Sequence, residues 1–311
     1  MKKGLVVKLI GGLYTVLDSE TKERIVCNAS GKLRHSKVSK DSSFKKDSLD
    51  KDARIIKMSP KVGDYVTYQE EGRYILDVMP RNNSLRRPDV ANVDQVLLIF
   101  AATNPKLSFN LLDHFIVLIE KEEIDLKIII TKFDLLDDQS QIELKENMKY
   151  YEKIGYNVYY TSMHDKMGFD EIKPIFKDKI SVLAGQTGAG KSTFLNCLDE
   201  SFNLQTQEIS KALGRGKHTT RHSELLDFND GLIADTPGFS SLDFFNFEVS
   251  DLNECFIDFK ELSNGCRFKG CSHINEPNCN VKNHLGEIMI NSRYENYVKF
   301  YNEIKQQKKI Y

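Results

Sequence analysis

Residues 1–80 carry short, mainly apolar runs separated by polar and glycine-containing segments. Leu5 to Ile10, Leu13 to Leu17, Arg24 to Asn28, Tyr65 to Gln69 and Tyr74 to Val78 are rich in β-branched and aromatic residues, so each is predicted to be a strand. Gly11-Gly12 falls where a tight hairpin would turn. Asp18 to Lys22 and Pro60 to Asp64 supply further turns. Five short strands in this length predict a small β-barrel of the oligonucleotide-binding (OB) type.

The rhythm changes over 81–245. Val93 to Ala101, Leu126 to Ile130, Val158 to Thr161, Ile180 to Ala184, Glu224 to Phe228 and Leu232 to Ala234 read as strands. Several are near-continuous apolar runs, as strands buried on both faces require. Leu111 to Glu122, Gln141 to Ile154 and Lys191 to Leu198 have helical spacing. Alternating strands and helices predict a doubly wound α/β domain. Arg81 to Pro88 reads as the linker into it. The remainder, 246–311, is expected to be mostly helical. There Leu285, Ile288, Met289, Tyr294, Tyr297, Val298, Tyr301 and Ile304 recur at helical spacing. The expected division is therefore 1–80, 81–245 and 246–311, and no internal repeat is visible.

The chain has 311 residues, and its 44 Lys plus Arg nearly balance 45 Asp plus Glu, so net charge identifies no partner. No apolar run is long enough to span a membrane. The start, Met1 to Lys8, reads as a strand rather than a leader, and a cytoplasmic protein is expected. Lys32 to Arg54 is Ser-rich and net basic. It reads either as a solvated linker or, set on an OB barrel, as a contact for a phosphate backbone.

Gly185-Gln186-Thr187-Gly188-Ala189-Gly190-Lys191-Ser192 matches G-x-x-x-x-G-K-S/T at every fixed position, between an apolar strand and a helix. The glycines let backbone N–H groups close around a β-phosphate. Lys191 is placed for the β- and γ-oxygens, and Ser192, followed by Thr193, for Mg²⁺. Asp235-Thr236-Pro237-Gly238 ends another apolar strand. Asp235 can hold Mg²⁺ through water, and the Gly238 N–H can sense the γ-phosphate. Thr131-Lys132-Phe133-Asp134 resembles a guanine-recognition motif that usually starts with Asn. Its Asp carboxylate accepts from the two guanine donors that adenine lacks. Thr131 replaces an amide that would brace this loop. Thr161-Ser162 sits where a second base-contacting loop belongs.

Gly214-Arg215-Gly216-Lys217-His218-Thr219-Thr220 lies where a first switch belongs, with Thr219 or Thr220 as the Mg²⁺ ligand. The position after Gly238, where many GTPases place a water-orienting Gln, is Phe239. An apolar ring cannot polarise water, which leaves His218 as the candidate catalytic group. Slow intrinsic turnover and strong stimulation by a partner are expected.

Cys266-x4-Cys271-x-His273-x5-Cys279 is a closed tetrahedral zinc set with no open position, hence structural. The other three cysteines, Cys27, Cys197 and Cys255, read as buried small hydrophobes.

The base motif precedes the phosphate loop, the reverse of the ordinary order. Together with G-R-G-K-H-T-T and the Cys₃His spacing, this resembles the circularly permuted GTPases of the small-ribosomal-subunit biogenesis family (ribosome small-subunit-dependent GTPase A). The resemblance covers nearly the whole chain. It implies GTP/GDP with Mg²⁺, one structural Zn²⁺, and late maturation of the 30S subunit with hydrolysis stimulated by that subunit. The implied partners are the 30S subunit and 16S rRNA, without DNA or membrane, and a monomer is the natural form. Members also carry a hydrophobic residue at the position of Phe239. The permutation feeds the second switch into the zinc module through 239–247, so γ-phosphate loss could move that module. Two other readings compete: an RNA-binding scaffold with nucleotide as a conformational ligand, and an ATPase, which Asp134 opposes.

Overall fold

A computed structural model describes residues 1–31, 33, 36–37, 55–56, 59–85, 88–202, 223–235, 244 and 247–307. The first seven strands are β1 (Lys2–Ile10), β2 (Leu13–Asp18), β3 (Arg24–Ala29), β4 (Ser36–Lys37), β5 (Ile55–Ile56), β6 (Tyr65–Gln69) and β7 (Tyr74–Val78). Then come β8 (Gln95–Ala101), α1 (Phe109–Glu120), β9 (Asp125–Thr131), α2 (Asp138–Lys153), β10 (Asn157–Tyr160), α3 (Phe169–Ile172), β11 (Ile180–Gly185), α4 (Lys191–Leu198), β12 (Ser223–Phe228) and β13 (Gly231–Asp235). The C-terminal helices are α5 (Val249–Cys255), α6 (Ile257–Ser263), α7 (Asn280–Asn283) and α8 (Asn291–Gln306). The chain folds as two compact units: 1–96, 170–183 and 195–240 form one, and 97–169, 184–194 and 241–311 the other.

In the first unit, β1, β2, β3, β7 and β6 close into a five-stranded barrel. Closure is completed by the parallel β3–β7 pair and the antiparallel β6–β1 pair. This is the expected OB barrel. Gly11 and Gly12, at φ +57° and +86°, make the β1–β2 turn, a conformation glycine adopts without steric cost. A bulge at Val7 lets β1 serve two neighbours. Lys2 to Leu5 pair with β6, while Lys8 and Leu9 pair with Glu224 and Ser223 of β12. β12 forms a hairpin with β13, and β13 runs parallel to β11.

The segment Arg81 to Pro88, expected as a linker, is built into this unit where it is described. Arg81 is buried and grips Asp64 through Nε at 2.7 Å and Nη2 at 2.8 Å. Asn83 exchanges hydrogen bonds of 2.8 Å with the Val93 backbone in both directions. Side-chain amides substitute here for a missing sheet ladder, which hydropathy does not register.

In the second unit β10, β9 and β8 lie side by side, with β10 parallel to β9. The C-terminal helices share a core with α1: Val117 clusters with Phe244, Leu252, Phe256, Tyr297 and Phe300. Arg293 of α8, fully buried, donates to Asp113 of α1 at 2.5 Å and to Asp258 of α6 at 2.9 and 3.1 Å. Tyr151 and Asn296 also donate to Asp113, at 2.9 and 2.6 Å. Ring stacking continues the seam, with His114 of α1 centred 4.2 Å from Phe244.

Two sequence expectations fail here. Leu285 to Met289 is not helical: Gly286, at φ +83°, donates to Met289 O at 2.7 Å, and α8 starts only at Asn291. A left-handed residue there ends helical continuity, and Ile288 is exposed. Cys27 and Cys255 are buried, but Cys197, on the short helix α4, is half-buried. No helix among the described residues is long and apolar enough to cross a membrane.

Candidate functional site

The phosphate loop begins where β11 ends. Gly185 has φ +126°, and a Cβ there would lie 2.0 Å from Ile99 O of β8. Only glycine allows that approach. Gly188 and Gly190, at φ +82° and +86°, continue the turn into α4. The Lys191 ammonium donates to Gly185 O at 2.8 Å and to Gln186 O at 2.9 Å. Burial pushes its pKa below the ordinary lysine value. A cation so placed, under glycine-rich backbone and at a helix start, suits polyanionic phosphate. Ser192 and Thr193 are half-buried in the first turn of α4, beside Lys191.

The base motif is built against this loop from the end of β9. Thr131 is fully buried, and its hydroxyl donates to Ala189 O at 2.6 Å. Lys132, at φ +56°, projects across and donates to Gly188 O at 3.0 Å and to Asn104 O. The sequence reading held that replacing Asn by Thr131 removes a brace. The hydroxyl makes a contact of its own, reaching the loop carbonyl Ala189 O directly. Phe133 is buried against Tyr160, centroids 4.9 Å apart, with the Lys145 ammonium 5.1 Å from its ring. Asp134, next along a single 3₁₀ turn, is exposed and free to meet a ligand.

Thr161-Ser162 lies beside that motif. The Phe133 N–H donates to Thr161 O at 3.2 Å, and Thr161 N–H donates to Ile130 O at 2.8 Å. Both side chains are fully buried. Gly190 faces the same loop: a Cβ there would sit 3.1 Å from Met163 Cε. Thus 131–134, 161–163 and 185–193 meet in one place although they are spread along the sequence in permuted order. His218, Thr219, Thr220, Gly238 and Phe239 lie outside the described residues, as does nearly all of Lys32 to Arg54. Asp235 closes β13.

The Cys₃His set forms a second site. One ligand atom from each of Cys266, Cys271, His273 and Cys279 lies within 4.8 Å of the others. His273 turns Nδ1 toward the sulfurs, 3.3 Å from Cys279 Sγ and 3.7 Å from Cys266 Sγ. Its Nε2 shares a 3.2 Å hydrogen bond with Ser263 Oγ. An imidazole oriented by a second partner, among three thiols, fits Zn²⁺ in composition and compactness. Burial pushes the Cys271 thiol up to about 12, so a bound cation is what would hold it as thiolate.

Sequence inspection missed the groups that shape this knot. Glu276 accepts from Ser272 N–H at 2.8 Å, Ser272 Oγ at 2.6 Å, Ile274 N–H at 3.1 Å and Asn275 N–H at 3.2 Å. Burial opposes its charge, but these donors hold its carboxyl at about 2. Tyr294 and Tyr297 of α8 donate to His273 O and Ser272 O, each at 2.7 Å. An acid inside the ligand span, between His273 and Cys279, was the available signal.

Residues 78–245 match the RsgA GTPase family model. The chain is 42% identical over 319 residues to the small ribosomal subunit biogenesis GTPase RsgA of Bacillus subtilis (strain 168), covering all of both chains. It is 43% identical over 314 residues to the same-named protein of Phytoplasma mali (strain AT), covering 100% of this chain and 98% of that one. Among solved structures it resembles YloQ, described as a circularly permuted GTPase, with TM-score 0.80, 37% identity and coverage of 100% and 97%. YjeQ from Thermotoga maritima matches with TM-score 0.81 and 35% identity, covering 99% of each chain.

Proposed function

The chain belongs to the RsgA GTPase family, and on that premise we propose that it hydrolyses GTP on the 30S ribosomal subunit. It assists late maturation of that subunit and then dissociates. The names borne by the Bacillus and Phytoplasma relatives support the setting. The observation that supports this chemistry is the Thr131–Ala189 hydrogen bond of 2.6 Å, which ties residues 131–134 to the glycine-rich loop 185–193.

In this reading Asp134 selects guanine and Lys132 flanks the base. The N–H groups of 185–193 and the Lys191 ammonium surround the β- and γ-phosphates. Lys191 exchanges its two loop carbonyls for phosphate oxygens, and its positive charge stabilises the charge that spreads over the γ-oxygens as water displaces GDP. Ser192 and Asp235, with Thr219 or Thr220 in the GTP state, would hold Mg²⁺, and the ion would offset phosphate charge. The Gly238 N–H senses the γ-phosphate. With Phe239 where a water-orienting Gln is usual, turnover is slow until the subunit stimulates it, and His218 is the candidate for positioning water. Cys266, Cys271, His273 and Cys279 would hold one structural Zn²⁺, which crosslinks the loop between α6 and α7.

The assignment of 1–80 to RNA binding, 81–245 to the GTPase and 246–311 to the zinc module is part of this reading. So are a monomeric state, a cytoplasmic location and 16S rRNA as the nucleic acid gripped. Phosphate release measured with and without 30S subunits tests it.

A further inference from the structure

Between two zinc-ligand positions the chain makes an exposed four-residue loop, Arg267-Phe268-Lys269-Gly270. Its tip is fixed: Cys271 N–H donates to Phe268 O at 3.3 Å, and Gly270 takes φ +76°. Phe268 is 44% exposed, although the buried cluster of Phe259, Phe256 and Tyr297 lies in the same module. The Arg267 guanidinium sits 5.5 Å from the Phe268 ring centre. Arg267, Lys269 and Lys260 all line one groove of about 560 Å³ with Phe268, and Glu254 is the one acid lining it. Among the described residues neither Arg267 nor Lys269 makes an ion pair within 4 Å.

A ring left 44% exposed on a doubly tethered turn still offers apolar surface to a partner and has little freedom to lose on binding. Flanked by uncompensated cations, it has the two parts of a single-stranded nucleic-acid site, a π-face for a base and positive charge for the backbone. We propose that this loop is a stacking platform for an unpaired RNA base, with Phe268 under the base and Arg267, Lys269 and Lys260 along the phosphates. The proposal rests on the reading of this protein as a partner of ribosomal RNA. It adds the contact: an unpaired nucleotide, held by the zinc knot. A polyanionic protein segment would use the same charges but would not need the ring.

The test compares the full-length, zinc-replete protein with its Phe268→Ala, Phe268→Tyr and Arg267→Ala variants. Binding is measured to purified 30S subunits and to a labelled uridine dodecamer, with polyglutamate as competitor. Zinc content and GDP affinity, expected unchanged, report folding. Phe268→Ala should weaken dodecamer binding by about 5- to 150-fold, as loss of one base–aromatic stack does, and Phe268→Tyr should restore it. Arg267→Ala should weaken binding and flatten its salt dependence. If Phe268→Ala binds both RNAs like the parent, or polyglutamate displaces RNA equally from both, the platform is wrong while the ribosomal reading stands. If the parent protein binds neither 30S subunits nor the dodecamer, the ribosomal reading fails, and the platform with it.

Discussion

The Thr131 hydroxyl donates to the carbonyl oxygen of Ala189 at 2.6 Å, and both atoms are buried between β9 and the phosphate loop. The same hydroxyl lies 3.3 Å from Phe100 O, but its single proton serves the nearer acceptor. Thr131→Val preserves shape and strands Ala189 O. Leaving a buried acceptor unpaired costs about 1–3 kcal/mol, so GDP affinity should fall by up to roughly 5- to 150-fold. Titration with a fluorescent GDP analogue measures this, and Thr131→Ser should recover most of the loss. Unchanged affinity in Thr131→Val would mean that the brace does not position the loops.

Arg293 sets the second prediction. Its guanidinium spans Asp113 and Asp258 with no exposed surface. Removing one member of such a pair leaves uncompensated buried charge, which costs about 3–5 kcal/mol. Arg293→Met should therefore destabilise by that amount in urea unfolding of the nucleotide-free protein. A change below about 1 kcal/mol would show that water or a rearranged side chain replaces the guanidinium.

Acid should expose a third relationship. Tyr68 donates to the Asp18 carboxylate, as do the Glu20 and Thr21 N–H groups at 2.9 and 2.8 Å. Together they hold its pKa well below the ordinary carboxylate value. A group with a depressed folded-state pKa contributes stability that is fully present above its unfolded value, about 3.9, and is lost as pH falls below it. Asp18→Asn should therefore be less stable than the parent at pH 7, with the difference shrinking below about pH 4. Thermal melts of both proteins from pH 7 to pH 3 provide the comparison, and a pH-independent difference would refute the assignment.

Zinc supplies the fourth. Elemental analysis should find one Zn²⁺ per chain, absent from a Cys271→Ser, Cys279→Ser double variant. Chelation should lower the thermal midpoint, by roughly 4–8 °C for a loss of ~2 kcal/mol, because metal binding is folding free energy for the knot. Equal midpoints before and after verified zinc removal would show that Glu276 and the α8 tyrosines hold the loop unaided.

How far the sequence was legible follows from which physics each element uses. β6, β7 and α4 fell at their expected residues, because β-branched and aromatic runs and a strand-to-helix glycine loop are local signals. The barrel followed from strand count and turn residues. The Cys₃His cluster was legible from spacing, and one candidate ligand atom from each of its four residues lies within 4.8 Å of the others. What escaped was long-range or polar. Asn83 clips Val93, Arg293 joins three helices, and the Thr131 hydroxyl reaches Ala189 O, 58 residues further along the chain. None of these leaves a periodic trace. Leu285 to Met289 mimicked a helical stripe because apolar spacing does not register the left-handed Gly286.

The most direct test of the account is multiple-turnover phosphate release from GTP, with and without purified 30S subunits. The account predicts slow release alone, acceleration of at least tenfold by the subunit, loss of both rates in Lys191→Ala, and no competition by excess ATP. Equal rates with and without subunits, or displacement of GTP by ATP, would contradict it.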